Sequence, residues 1–549
     1  MTTYGLPLGR SAHVDTFCRD HLPAPGAWPE FLFDGPELQY PDRLNCAEEL
    51  LDRTIDRSGR DRPCVLSPEG DTWTYGELAD QVNRIAHVLV EDLGVVPGNR
   101  VLLRGPNNFW LAASWLAVVK AGAVAVTTMP LLRKSEIVTL CEIARPQVAI
   151  CDARFVTDLV AAAVADLTVV TYGDARLPED LVNRVAAKPT EFAAAATSAD
   201  DVAMLAFTSG TTGRPKATMH FHRDVLAVAD TFSAQVIRPT PDDVFTGTPP
   251  LGFTFGLGGL LIFPLRAGAA TLLIERATPD ELAQIIAERG ATICSTAPTA
   301  YRALLAGGHA DKLAGLRRAI SAGEHLPEST WHAFLEATGI RLIDGIGSTE
   351  MLHVFVSAAD DDIRPGATGR AVPGYQVTVL DDAGAPAEPG VRGRLAVKGP
   401  TGCRYLADAR QAVYVQDGWN ITGDTYTRDE DGYFYYQART DDMIISAGYN
   451  IAGPEVEEAL LGHPAVLECC VVGVPDDERG QLVKAFVVAA PGAVPGDALA
   501  AELQAHAKMR IAPYKYPRAV EFVDALPRTS TGKVQRFKLR NLGAAAQPG

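Results

Sequence analysis

The stretch 208-TSGTTGRPK-216 decides how this chain is read, because it packs the parts of an anion cradle into nine residues. Thr208, Ser209, Thr211 and Thr212 supply hydroxyls, Gly210 and Gly213 allow close backbone approach, and Lys216 adds a point charge. The spacing differs from the common nucleotide loop, in which four residues separate Gly from Gly-Lys-Ser/Thr. An apolar run, 202-VAMLAF, precedes the stretch and reads as a strand, and 222-HRDVLAVADTFSAQV follows with helical spacing. The expected setting is a turn between strand and helix, where free N–H groups would face a phosphate.

Outward from this loop, strands and helices alternate. The segment 75-YGELADQVNRIAHVLVEDL has helical spacing, 100-RVLLRG is a short strand, and 110-WLAASWLAVVKAGAVAVTT runs from helix into strand. The pattern returns in 278-TPDELAQIIAERG followed by ATICST. Alternation of this kind predicts an α/β fold with parallel sheets covered by helices. From about residue 366 the texture becomes β-rich, as in 375-YQVTVLDDAGAPAEPGVRGRLAVKG. After 439-RTDDMIISAGYNI-451 the order is helix, strand, strand, helix, strand, a small α+β unit of ordinary domain size. The expected division is a large domain over 1–440 and a small domain over 441–549.

With 549 residues the chain is too long for one compact core. Its formal net charge of −17 argues against nucleic acid or an anionic membrane as partner. The tail is locally basic, with Lys515, Arg518, Arg528, Lys533, Arg536, Lys538 and Arg540, which suits a polyphosphate ligand. The nine cysteines are scattered without a CxxC pair and read as buried thiols, and no signal peptide is evident at the start, so a cytoplasmic protein is expected. Val244 to Leu265 carries no charge and is long enough to span a bilayer, but its prolines and glycines make it a buried pocket wall instead.

Six ordered blocks carry a resemblance: 208-TSGTTGRPK-216, 321-SAGE-324, 345-GIGSTE-350, 419-WNITGD-424, 436-YQARTDDMIISAGYNI-451 and 527-PRTSTGKVQR-536. Together they resemble the acyl-adenylate-forming superfamily of acyl- and aryl-CoA ligases, adenylation domains and luciferases. The resemblance implies ATP, Mg²⁺ and coenzyme A as cofactors and substrates. It implies that the opening loop cradles the β- and γ-phosphates, that Thr349 bonds the α-phosphate, and that Glu350 holds Mg²⁺. A hard cation bridging phosphates calls for an anionic oxygen ligand. Asp424 would accept bonds from both ribose hydroxyls, Arg439 would add a contact there, and Gly323, Glu324, Asp344, Gly345 and Ile346 would flank adenine. Lys533 would contact the attacking carboxylate and the α-phosphate. Asp441 would be the hinge about which the small domain rotates between half-reactions, bringing Gly448, Tyr449 and Asn450 to line a pantetheine path.

The acid is expected to be aromatic. The segment 250-PLGFTFGLGG stands where relatives line the acyl site, and 351-MLHVF resembles benzoate-type CoA ligases. Phe253, Thr254, Phe255, Gly256, Gly347 and His353 are the candidate pocket residues, since aromatic side chains stack on a flat ring and glycine leaves room. Thr254 and His353 suit an ortho-amino group, and the N-terminal run HVDTFCRDHLPAPGAW resembles 2-aminobenzoate–CoA ligases. The expected reaction is therefore CoA thioester formation from 2-aminobenzoate, with benzoate second. Loading of an aryl carrier protein is a further alternative, and a homodimer is the assembly considered.

Overall fold

The computed structural model describes residues 8–208, 214–439, 442–446, 449–476, 479–511, 514–529 and 533–545. Among them lie two large, mostly parallel sheets. A six-stranded sheet runs, in spatial order, Thr168–Tyr172, Val148–Asp152, Arg100–Arg104, Val124–Thr128, Val202–Thr208 and Lys216–Phe221, with only the last strand antiparallel. A nine-stranded sheet has a parallel centre that includes Val244–Gly247, Ile293–Thr296, Arg318–Ala322 and Leu342–Gly347. The parallel strands read as continuous apolar runs because helices cover both faces, and Arg100–Arg104 and Val124–Thr128 are buried throughout.

The helices begin where the sequence supplies caps. In Tyr75–His87, Thr74 Oγ1 accepts from the Glu77 N–H at 3.1 Å, and the Glu77 carboxylate accepts from the Thr74 N–H at 2.7 Å. This capping box is worth about 1 kcal/mol. The same helix buries Leu78, Val82 and Ile85 against the core.

One expectation is corrected. The loop after Thr208 does not run into a helix. It returns as the strand Lys216–Phe221, which pairs antiparallel with Val202–Thr208 so that Lys216 lies opposite Thr208. The helix starts only at His222. The run 216-KATMHF has β-branched and aromatic side chains that fill a buried edge strand, while the expected helix forms beyond it from His222. No helix N-terminus therefore stands directly behind the loop. Its Ser209–Gly213 portion lies outside the described residues.

The uncharged run from Val244 folds as the strand Val244–Gly247 and then as successive short helices ending at Ala267. Gly256 is required there, since a Cβ on it would stand 2.1 Å from the Pro250 carbonyl oxygen. Among the described residues no helix is long and apolar enough to cross a membrane. The β-rich part is an antiparallel sheet of Gln376–Leu380, Gly393–Lys398, Trp419–Arg428, Val415–Gln416 and Phe434–Arg439. The C-terminal part packs the helices Gly453–Leu461 and Asp497–Arg510 onto the strands Val466–Asp476, Gly480–Ala489 and Ala519–Phe522. A terminal helix, Arg536–Ala545, was not foreseen from the sequence. The cysteines are free thiols, all buried except the half-buried Cys469.

Candidate active site

Three sheets meet at the corner that holds Lys216 and Glu350. The extended segment around Tyr405 adds itself to the edge strand, with Met219 N–H donating to Arg404 O at 2.8 Å and Leu406 N–H to Ala217 O at 2.9 Å. Tyr405 is thereby set beside Lys216. Lys216 Nζ donates to the Tyr405 hydroxyl at 2.6 Å, and the hydroxyl donates to Glu350 Oε1 at 2.5 Å. Lys216 Nζ and Glu350 Oε1 are 3.6 Å apart. Glu350 is only 6% exposed, so its charge is tied to these two partners. Thr349 is placed from behind. His220, buried and pushed down to a pKa of about 3 by desolvation, is neutral, and its Nε2 donates to the Thr349 carbonyl at 2.9 Å. The sequence reading had assigned roles to neither Tyr405 nor His220.

The donor set can be tested against Mg²⁺. Among the described residues no cluster of three His, Cys, Asp or Glu side chains could hold a metal alone. One buried carboxylate next to a phosphate-directed lysine matches a Mg²⁺ that takes most ligands from nucleotide phosphates and water. Glu350 fits that role.

The residues that the resemblance assigns to the nucleotide gather at strand ends. Asp424 sits on Trp419–Arg428, in register with Arg439 on the neighbouring strand, and Arg439 Nη1 reaches Asp424 Oδ1 at 3.2 Å. Burial raises the Asp424 pKa, and the Arg439 charge pulls it back. Asp344, Gly345 and Ile346 follow one another on Leu342–Gly347. Burial pushes the Asp344 carboxyl up to about 8, and its Oδ1 has no hydrogen-bond partner among the described residues. Gly323 takes φ +89° directly after the strand Arg318–Ala322, a conformation that glycine adopts without strain. Glu324 accepts from Thr299 and pairs with Arg528 at 3.2 Å.

That last contact ties the C-terminal part to the crevice. Arg528 also meets Glu468 at 2.9 Å, and Ser329 N–H donates to Glu458 at 2.9 Å. Five residues after Arg528, the Lys533 N–H donates to Thr529 Oγ1 at 3.1 Å, and its carbonyl accepts from the Thr529 N–H at 2.8 Å. A Cβ built on Gly323 would lie 4.0 Å from Lys533 Cε. Lys533 thus stands over the strand ends, open to solvent yet crowded by protein. Desolvation lowers its pKa, opposed by the charge of Asp424. Asp441 and Gly448 lie outside the described residues, and Tyr449 begins the short strand Tyr449–Ile451 opposite Ser446.

The apolar wall is aromatic. His353, 3% exposed, follows a turn in which Leu352 has φ +68°. Its ring centroid lies 5.5 Å from Phe232, 5.6 Å from Phe255 and 4.5 Å from Phe263. Burial pushes its pKa down to about 3, and neither ring nitrogen has a hydrogen-bond partner among the described residues. Gly258 faces it, since a Cβ there would stand 2.3 Å from His353 Cδ2. Gly347 is held to glycine by the His353 carbonyl, 2.5 Å from where its Cβ would stand. Phe253 and Thr254 open the helical run and are half-buried. Phe232 and Phe263 were not foreseen, although Phe263 lies in the uncharged run.

Comparison with known proteins gives a consistent result. The AMP-binding enzyme family matches residues 51–405, and the AMP-binding enzyme C-terminal domain matches residues 455–533. The benzoate–CoA ligase of Thauera aromatica is 36% identical over 516 residues, covering 92% of this chain and 97% of that protein. A crystal structure of the anthranilate CoA ligase AuaEII in complex with anthranoyl-AMP superposes with a TM-score of 0.88 at 33% identity, over 92% of this chain and 99% of that one. A benzoate CoA ligase from Burkholderia xenovorans LB400 gives 0.83 at 33% identity, over 90% and 99%.

Proposed function

Because the chain belongs to the AMP-binding enzyme family, we propose that it is an ATP-dependent aryl-CoA ligase whose acid is 2-aminobenzoate, with benzoate as the alternative. The acid's carboxylate attacks the α-phosphorus of ATP, the bond to pyrophosphate breaks, and the thiol of CoA then displaces AMP from the aryl-adenylate. Asp424 holds the ribose, with Arg439 beside it. Thr349 orients the α-phosphate, and the loop from Thr208 to Lys216 takes the departing pyrophosphate. Glu350 would hold Mg²⁺, which would supply positive charge to the phosphates. Lys533 joins the carboxylate to the α-phosphate, a reading supported by its place over Gly323 and by the Asp424 charge near it, and such a preorganised charge favours the transition state over the ground state. For the thioester step, rotation about Asp441 withdraws Lys533 and brings Gly448 and Tyr449 to the thiol's path.

The observation that carries the choice of acid is His353: a neutral imidazole, buried among Phe232, Phe255 and Phe263, with both nitrogens unpaired. An unpaired buried polar group costs about 1–3 kcal/mol. A ring-bound N–H donor can offset that cost at the acceptor nitrogen, which benzoate or an aliphatic chain cannot do. Likeness to the anthranilate ligase supports the same reading.

The test compares adenylation rates, by ATP–pyrophosphate exchange, for 2-aminobenzoate, benzoate, 3-hydroxybenzoate and a medium-chain fatty acid. The expected order places 2-aminobenzoate first, and a preference for the fatty acid would sink the aryl reading. Free CoA against a carrier protein's pantetheine arm identifies the acceptor.

A further inference from the structure

Lys216 and Glu350 are opposite charges 3.6 Å apart, and Tyr405 stands against both. A hydroxyl is the group type that can accept from an ammonium and donate to a carboxylate at the same time. Tyr405 is fully buried and cannot swing away. Its own N–H is held by Gln411 Oε1 at 2.9 Å, Gln411 Nε2 is anchored on the Ala27 carbonyl at 2.8 Å, and its backbone bridges to Thr218. Its ring rests edge-on against Tyr414, which reaches Ser348 at 3.1 Å.

We propose that Tyr405 is a positioning residue for nucleotide loading: its hydroxyl keeps the Lys216 ammonium and the Glu350 carboxylate in register as two separate ligands, one for a polyphosphate and one for its divalent cation. The proposal rests on the ligase reading in giving phosphate to Lys216 and Mg²⁺ to Glu350. Without the hydroxyl, the ion pair now held at 3.6 Å tightens to direct hydrogen-bond contact, which incoming Mg·ATP must break. The carboxylate also loses the donor that fixes its orientation.

The test is calorimetric titration of full-length Tyr405→Phe and wild type with ATP, in Mg²⁺ and in EDTA. The variant keeps the ring and so preserves the packing against Tyr414. Loss of a hydrogen bond to a charged group predicts Mg·ATP binding weakened about tenfold. In a Glu350→Gln background the same change should weaken binding less than about twofold, because the two residues act as one unit. Thioester formation from supplied aryl-adenylate should stay within about twofold of wild type. Undiminished Mg·ATP affinity in Tyr405→Phe would overturn the proposal. So would a full tenfold loss that persists beside Glu350→Gln, or equal damage to both half-reactions. A wild type that binds Mg·ATP but adenylates no aryl acid would refute the ligase reading, and the calorimetric comparison would still decide Tyr405.

Discussion

Replacing Lys533 by alanine should separate the two half-reactions. The side chain extends over Gly323, and its ammonium is influenced by Asp424, Arg439, Glu324 and Glu350. Desolvation dominates, so water compensates this charge less than it would a surface lysine. Two anionic oxygens about 4 Å away, at an effective dielectric constant near 20, each interact with it by about 4 kcal/mol. If one such interaction is gained only as the carboxylate closes on phosphorus, its loss slows adenylation about a thousandfold. ATP–pyrophosphate exchange reads that step, and thioester formation from synthetic aryl-adenylate reads the other, which should change less than about threefold. The lowered pKa adds a second signature. Adenylation needs the ammonium, so wild-type exchange should fall with rising pH before the ordinary lysine value is reached, and Lys533→Ala should lose that alkaline limb. Equal losses in both half-reactions would refute the reasoning, because a residue that merely holds the crevice together would slow both.

Gly258→Ala should raise the KM for the aryl acid about tenfold and leave that for ATP unchanged, since its Cβ would stand 2.3 Å from His353 Cδ2 and three phenylalanines block retreat of the ring. Steady-state kinetics in each substrate checks this. Asp344→Asn should stabilise the protein, more so as pH rises. The folded-state pKa of about 8 lies well above the ordinary aspartate value, so the folded chain holds a proton that unfolding releases, and wild-type stability drains away between about pH 4 and 8. Thermal unfolding at pH 5 and pH 8 should show the variant's advantage widening by about 4 kcal/mol, and a gap that narrows with pH would contradict the assignment.

The residues legible in the sequence are those whose chemistry is constrained at a strand end. Glu350, Asp424, Gly323 and Lys533 could each be named because they stand in ordered motif blocks that resemble those of the superfamily, and Gly323 takes φ +89° at its strand end. Tyr405, His220, Phe232 and Phe263 were missed for the opposite reason. They act by touching another side chain across a long sequence gap, and a buried tyrosine or phenylalanine has no local pattern to mark it. The hairpin after Thr208 was hidden similarly: helical spacing in 222-HRDVLAVADTFSAQV was real, but the six residues before it form an edge strand that pairs with Val202–Thr208 and is bridged at Thr218 by Tyr405.

This division also explains how one site can serve two reactions. The nucleotide-directed groups come from the nine-stranded sheet (Gly323, Asp344 and Gly345), the β-rich sheet (Asp424 and Arg439) and the edge hairpin (Lys216). His220, on the same hairpin strand as Lys216, donates to the Thr349 carbonyl and ties that strand to the Thr349 segment. The C-terminal part adds Lys533, fastened by surface-reaching contacts such as Arg528 with Glu324. Partly exposed ion pairs of this kind are worth about 1 kcal/mol or less each, so swinging the part away costs little. Breaking the buried Lys216–Tyr405–Glu350 unit would cost far more. On the proposed mechanism, the groups around Asp424 and Glu350 stay fixed while Lys533 leaves, as a thioester step following an adenylation step requires.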